Sequence, residues 1–147
     1  GLESAGLAVA TARHGDRHAI LMGIGAARHW GAIPRAIGST TIAVPTAGHR
    51  PVTVAAGQIH FVQRDLERVE AVLEQTELGT ALVTTPEQTQ FDLLMRPHQG
   101  GVPDIAHAAA HQLQPQVDPE EFTAIISGAP RVNTAVRQAA LALGAQR

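Results

Sequence analysis

The chain contains no cysteine, no lysine and no tyrosine. Without cysteine there are no disulfides and no thiolate metal sites, which agrees with the cytoplasmic location we expect. Without lysine there is no Walker-type phosphate loop, no Schiff-base chemistry and no lysine for a metal-dependent nuclease core. An all-arginine complement is also what GC-rich coding produces, but the exclusions hold whatever its origin. Aromatic residues make up only 3% of the chain, so its core has to come from Ala, Val, Leu and Ile. No run approaches the ~20 apolar residues of a membrane span, and no signal peptide is seen at the start. A membrane partner is therefore not expected.

What is present fits one domain over residues 1–147. A chain of this length buries roughly two-thirds of its unfolded surface. It opens at Gly1 rather than Met, and we expect a further segment upstream. Charge is uneven along it. Residues 1–68 hold seven Arg against four acids, and residues 69–147 hold four Arg against nine, formally +3 and −5. Five histidines (His14, His18, His29, His49 and His60) fall in the first part. An arginine-rich half is either a face for phosphate or acidic protein, or simply solvated.

Leu2 to Arg13 has a loose helical spacing that ends at His14-Gly15. His18–Met22 is a short apolar run. Gly23–Trp30 reads as a compact helix with a small-residue face, closed by Gly31 and kept from continuing by Pro34. Three β-rich runs follow, at 40–44, 51–54 and 59–63, with Ile59 and Phe61 alternating against His60 and Val62. Their short connections predict an antiparallel meander. Leu66–Leu73 fits a helix by spacing. Leu82–Thr84 reads as a strand. Thr85-Pro-Glu-Gln88 predicts a helix start, with Thr85 as N-cap, Pro86 in the first turn and Gln88 reaching back as a capping box. The helix it opens ends before Pro97. Helices are then predicted over 103–113, 118–127 and 132–143. No repeat or linker divides the chain. The fold expected is α+β: a small, mostly antiparallel sheet packed with N-terminal helices and a C-terminal group of helices.

Several stretches in this order resemble a known family. Gly25-Ala-Ala-Arg-His-Trp-Gly31 is a small-residue stretch similar to the form G-x-A-A-x-x-x-G, with Ala26-Ala27 between its two glycines, and is followed by Ile33-Pro34. Ile42-Ala-Val-Pro45 comes next, then His49-Arg50, Phe61-Val-Gln-Arg-Asp65 and Val83-Thr-Thr-Pro-Glu-Gln-Thr-Gln-Phe-Asp92. Together, over residues 18–96, they resemble the C-terminal domain of the AbiEi family, antitoxins of type IV toxin–antitoxin systems. Gln88 stands where that family usually has Arg, and Gly25 where it often has Ser. The resemblance also favours a strand near 71–75 over a helix there. It implies a non-enzymatic antitoxin domain that counteracts a nucleotidyltransferase-type toxin, and a winged-helix domain upstream that binds operator DNA and autoregulates transcription. An alternative is the dimerisation or sensing domain of a transcriptional regulator without a toxin. A degenerate nuclease is a third reading, disfavoured by the missing lysine. No cofactor is implied, and the sequence fixes no oligomeric state.

Candidate partner-binding residues, for protein or DNA, are Arg28, Arg35, Arg50, Arg64 and Arg68, because strand-end arginines can gather into a patch for phosphates or carboxylates. Asp104-x-x-His107-x-x-x-His111 sets two imidazoles one helical turn apart on a shared face, a pattern that could hold Zn²⁺ or another divalent ion. The Glu of H-E-x-x-H is missing, and we read the pattern as a helix face. Asp92, between Phe91 and Leu93, is either a buried base or a structural partner of an Arg or a backbone group. Trp30 reads as a core anchor or an exposed contact. No catalytic residue is assigned, because no nucleophile, base and oxyanion or metal site occur together.

Overall fold

The computed structural model describes residues 1–15, 17–77 and 79–145. Asp16 and Arg147, counted in the charge balance above, lie outside these. Helix α1 (Leu2–His14) ends at Gly15, whose φ of 87° is a conformation glycine adopts without strain. Strand β1 (Ile20–Met22) runs directly into α2 (Gly23–His29). Then come β2 (Ser39–Val44), β3 (Val52–Val54) and β4 (Gly57–Gln63). A 3-10 turn at Leu66–Arg68 leads into β5 (Ala71–Thr76) and β6 (Gly79–Thr84). Four helices complete the fold: α3 (Pro86–Met95), α4 (Pro103–Leu113), α5 (Pro119–Gly128) and α6 (Thr134–Ala145).

The six strands form one open mixed sheet in the order β3-β4-β2-β1-β6-β5. Three pairings are antiparallel, β1–β2, β3–β4 and β5–β6, and two are parallel, β1–β6 and β2–β4. The predicted meander is thus corrected. Of the three runs predicted to form it, only β3 and β4 make a hairpin. The segment after β2 carries the chain past it, and β4 returns beside β2 in parallel, with Thr40 opposite Ile59 and Ile42 opposite Phe61. Burial explains the choice. All six residues of β2 are buried, which requires neighbours on both edges and cover on both faces. The segment 66–73, helical by spacing, is a 3-10 turn followed by β5, as the family resemblance favoured.

One face of the sheet carries α1. Leu2, Leu7 and Ala10 pack with Leu21, Ile42, Val44, Ile59 and Val83. Gly6 permits this approach, since a Cβ there would sit 3.1 Å from Ile42 Cδ1. On the other face Ile20, Met22 and Ala43 cluster with Val69. The helical layer has its own core, in which Phe91, Leu93, Ala106, Ala110, Leu113 and Phe122 meet Ile24 and Ala27 of α2. Helix α2 therefore joins the two layers. Its Gly25 lies so close to β2 and β1 that a Cβ would clash with Thr40 Oγ1 and fall 2.6 Å from Leu21 Cδ1. A serine, frequent at this place in the family, would not fit here without movement. Half-buried Trp30 packs against both cores and donates from Nε1 to the Thr84 carbonyl at 2.8 Å, which makes it an anchor.

Candidate interaction site

The motif from Val83 to Asp92 is a structural hub. Every residue of α3 from Glu87 to Leu93 is buried, although most are polar. Four of the five polar side chains hydrogen-bond outside the helix, each to a different part of the fold, and Asp92 accepts from Gln88 within it. Glu87 Oε2 accepts from the Asp118 N–H at 2.9 Å, at the start of α5. Gln90 Nε2 donates to the Ala110 carbonyl at 2.9 Å and to Gln114 Oε1 at 2.6 Å. The Thr89 and Thr84 hydroxyls meet at 2.7 Å. Thr85 caps the helix as predicted, accepting the Gln88 N–H at 3.1 Å. The reciprocal half of the capping box is not formed. Gln88 instead accepts the Glu70 N–H at 3.1 Å and donates to Asp92 Oδ1 at 3.0 Å. A neutral amide thus occupies the place of the family's usual Arg and bridges β5 to Asp92.

Asp92 is 5% exposed and faces Arg64 at the end of β4, with Arg64 Nη1 3.3 Å from Oδ2. That distance makes an ion pair, but Oδ2 lacks an aligned hydrogen-bond donor. Burial pushes the Asp92 carboxyl above its ordinary pKa, opposed by the charge of Arg64 and the hydrogen bond from Gln88. The same guanidinium lies 4.0 Å from Met22 Sδ. Of the two readings of Asp92, the partner of an Arg is what the geometry contains.

The five candidate arginines fall into three places. Arg28 pairs with Glu3 of α1 at 2.7 Å and donates from Nε to the Arg35 carbonyl at 3.2 Å, so these two are neighbours. Arg64 and Arg68 line one cleft beside α3 and α5, together with Asp65, Glu70 and Glu121. Arg50 is exposed and follows His49, whose ring lies 5.6 Å from Phe61 and 5.0 Å from His14. His49 also approaches Arg13 Nη1 at 3.2 Å and Thr46 Oγ1 at 2.8 Å. Arg35, Arg50 and Arg68 have no carboxylate partner among the described residues. Asp104, His107 and His111 all lie on the exposed side of α4, and among the described residues no group of three His, Asp or Glu is arranged to hold a metal ion.

Sequence reasoning missed two arginines, Arg96 and Arg131. They line a cleft of about 710 Å³ with Arg64 and Asp92. Arg96 could have been found, because it lies four residues after Asp92 at the end of the same helix. Arg131 carried no local signal.

The family model for the AbiEi antitoxin C-terminal domain matches residues 18–143. The chain belongs to that family. The match continues past residue 96 and takes in α4, α5 and nearly all of α6, so these helices are part of the AbiEi domain. Among solved structures, the chain is similar to the RV2827C protein from Mycobacterium tuberculosis, with TM-score 0.60 and 21% identity over 93% of this chain and 50% of that one. It is also similar to an antigenic nucleotidyltransferase-like protein from Paracoccidioides brasiliensis, with TM-score 0.53 and 11% identity over 88% of this chain and 80% of that one. At these identities the likeness is one of fold. This AbiEi domain spans half the length of the mycobacterial protein. A search of curated proteins found no match. Among the described residues no helix is long and apolar enough to cross a membrane.

Proposed function

We propose that this chain is the toxin-counteracting, non-enzymatic domain of a type IV antitoxin, acting in the cytoplasm on a nucleotidyltransferase-type toxin. Its membership of the AbiEi antitoxin family, over residues 18–143, carries the reading. DNA binding and autoregulation fall to a winged-helix domain upstream of this single domain. Contact with the toxin uses arginines that are free to take a carboxylate from a partner. Arg35, Arg50 and Arg68 meet that condition, while Arg28 and Arg64 are engaged by Glu3 and Asp92 and contribute only their remaining N–H groups.

Co-expression with the nucleotidyltransferase encoded beside it is the decisive experiment. The chain should restore growth of cells expressing that toxin. Reversing Arg35, Arg50 and Arg68 to Glu together should weaken the rescue while leaving the circular dichroism spectrum unchanged, since exposed charges contribute little to stability. Failure of the unaltered chain to rescue growth, or the absence of any nucleotidyltransferase neighbour, overturns the reading.

A further inference from the structure

One arginine of the basic N-terminal part, Arg64, is joined in a cleft by two from the acidic remainder of the chain, Arg96 and Arg131. Arg64 directly follows β4, Arg96 follows α3, and Arg131 lies in the connection between α5 and α6, and all three line one cleft. Among the described residues the only carboxylate in its lining is Asp92, which is buried beside Arg64. Other clefts balance their arginines. The one containing Arg64 and Arg68 has three carboxylates, and the one containing Arg17 and Arg64 has two. Neither Arg96 nor Arg131, both exposed, has a carboxylate partner among the described residues. Asp92 holds the Arg64 guanidinium from beneath, and the residue as a whole remains partly exposed to the cleft. One wall is apolar, with Phe91 and Met95.

We propose that this cleft binds a nucleoside phosphate. Guanidinium groups in a fork geometry suit a phosphate, which takes two N–H donors from one arginine. An inorganic anion alone would leave most of the 710 Å³ unfilled, and this volume is within the ~300–1,000 Å³ typical of organic ligand pockets. The apolar wall accepts a base or ribose, while Arg96 and Arg131 at the rim take the charge. Asp92 is a positioning residue that fixes Arg64. Three guanidiniums around one recess, rather than along a ridge, favour a small molecule over a nucleic-acid strand. The inference stands apart from toxin neutralisation.

Titration calorimetry on the whole chain tests it, with the mono- and triphosphates of adenosine, guanosine, cytidine and uridine as probes beside inorganic phosphate. At least one nucleotide should bind saturably and roughly tenfold or more tighter than phosphate. Arg96→Gln and Arg131→Gln should each weaken it by roughly tenfold, the loss of one charge-assisted hydrogen bond. Both side chains are exposed, so an unchanged circular dichroism spectrum should accompany the loss. Nucleotides that bind no tighter than phosphate overturn the proposal, as does a double variant that binds like the parent. So does binding of a single-stranded oligonucleotide without binding of any mononucleotide. Growth rescue in the toxin assay is a separate readout, so failure of one proposal is distinguishable from failure of the other.

Discussion

Helices α3 and α5 begin alike and end up in opposite surroundings. Each is ten residues long, has proline in its first turn, and is preceded by a side-chain cap, Thr85 for α3 and Asp118 for α5. By composition α5 is the more apolar, with Phe122, Ile125 and Ile126, yet it buries only Phe122. Helix α3 has the polar run Glu-Gln-Thr-Gln, and all of it is buried. The difference is one of partners. Buried polar groups are tolerable when each is hydrogen-bonded, and α3 meets β6, β4, α4, α5 and the approach to β5 on its several sides. Polar composition thus marks this helix as the place where the sheet and the bundle are bolted together, with specific bonds in place of an apolar stripe.

If α5 hangs on a single side chain, truncating it should have the largest effect of all. Phe122→Ala should cost about 3–5 kcal/mol, read as a drop in the urea midpoint. A loss no greater than that of a cap variant would show that α5 does not depend on Phe122.

The polar hub of α3 should be nearly as sensitive at its most buried charge. Asp92→Ala leaves the partly exposed Arg64 without its carboxylate and should cost about 2 kcal/mol. The pH dependence sharpens this. Burial raises the Asp92 pKa in the folded state, so the native protein binds more protons than the unfolded chain between about pH 4, the ordinary carboxylate range, and the raised value. The contribution is fully present below the unfolded pKa and is lost as pH rises through the folded one. Stability relative to Asp92→Asn should therefore fall as pH rises through that window, and equal pH profiles for the two proteins would mean that the carboxyl is not shifted.

Gln90→Ala removes two hydrogen bonds that tie α3 to α4, at 2.9 and 2.6 Å. A loss of about 1.5 kcal/mol is expected. The counterpart exposed hydroxyl on α5, Thr123, which bonds only to the Pro119 carbonyl, should be replaceable by Ala with almost no change. Similar losses at both positions would erase the distinction between the helices. The caps fall between Gln90 and Thr123: Thr85→Ala should cost about 1 kcal/mol and Asp118→Ala somewhat less, because Asp118 is exposed while Thr85 lies against the hub. Parallel denaturation curves decide the order.

Local chemistry made the helices legible in the sequence. Proline after Thr85, Val102 and Asp118 marks where three of them start, and Gly15 ends the first, because these residues act on the backbone beside them. Helix α6 begins two residues later than its spacing implied and runs through Gly144. Strand neighbours were not legible. The alternation of Ile59 and Phe61 fixes which way β4 faces, but it is silent on whether β3 or β2 lies alongside. The candidate site divided in the same way. Arg64 was visible as a strand-end arginine. Its buried partner Asp92 was open to two readings, and Arg131 arrives from 67 positions away in sequence, a distance over which no periodicity carries information.

The parallel pairing of β1 with β6 also has a bearing on how the protein is made. Residues 20–21 lie beside residues 82–83, so the middle of the sheet is joined across most of the first half of the chain. Contacts of such long sequence separation form late and slow folding. On the ribosome, β1 can pair with β2 early, but its other edge stays open until β6 has emerged, leaving Leu21 and Val44 with an incomplete cover. The hub helix follows β6 at once in the sequence, and its bonds to α4 and α5 wait for another thirty residues or so of synthesis. A nascent chain stalled before Thr84 is therefore a sheet with an unprotected interior edge, the form in which this domain is most exposed to aggregation and to proteases.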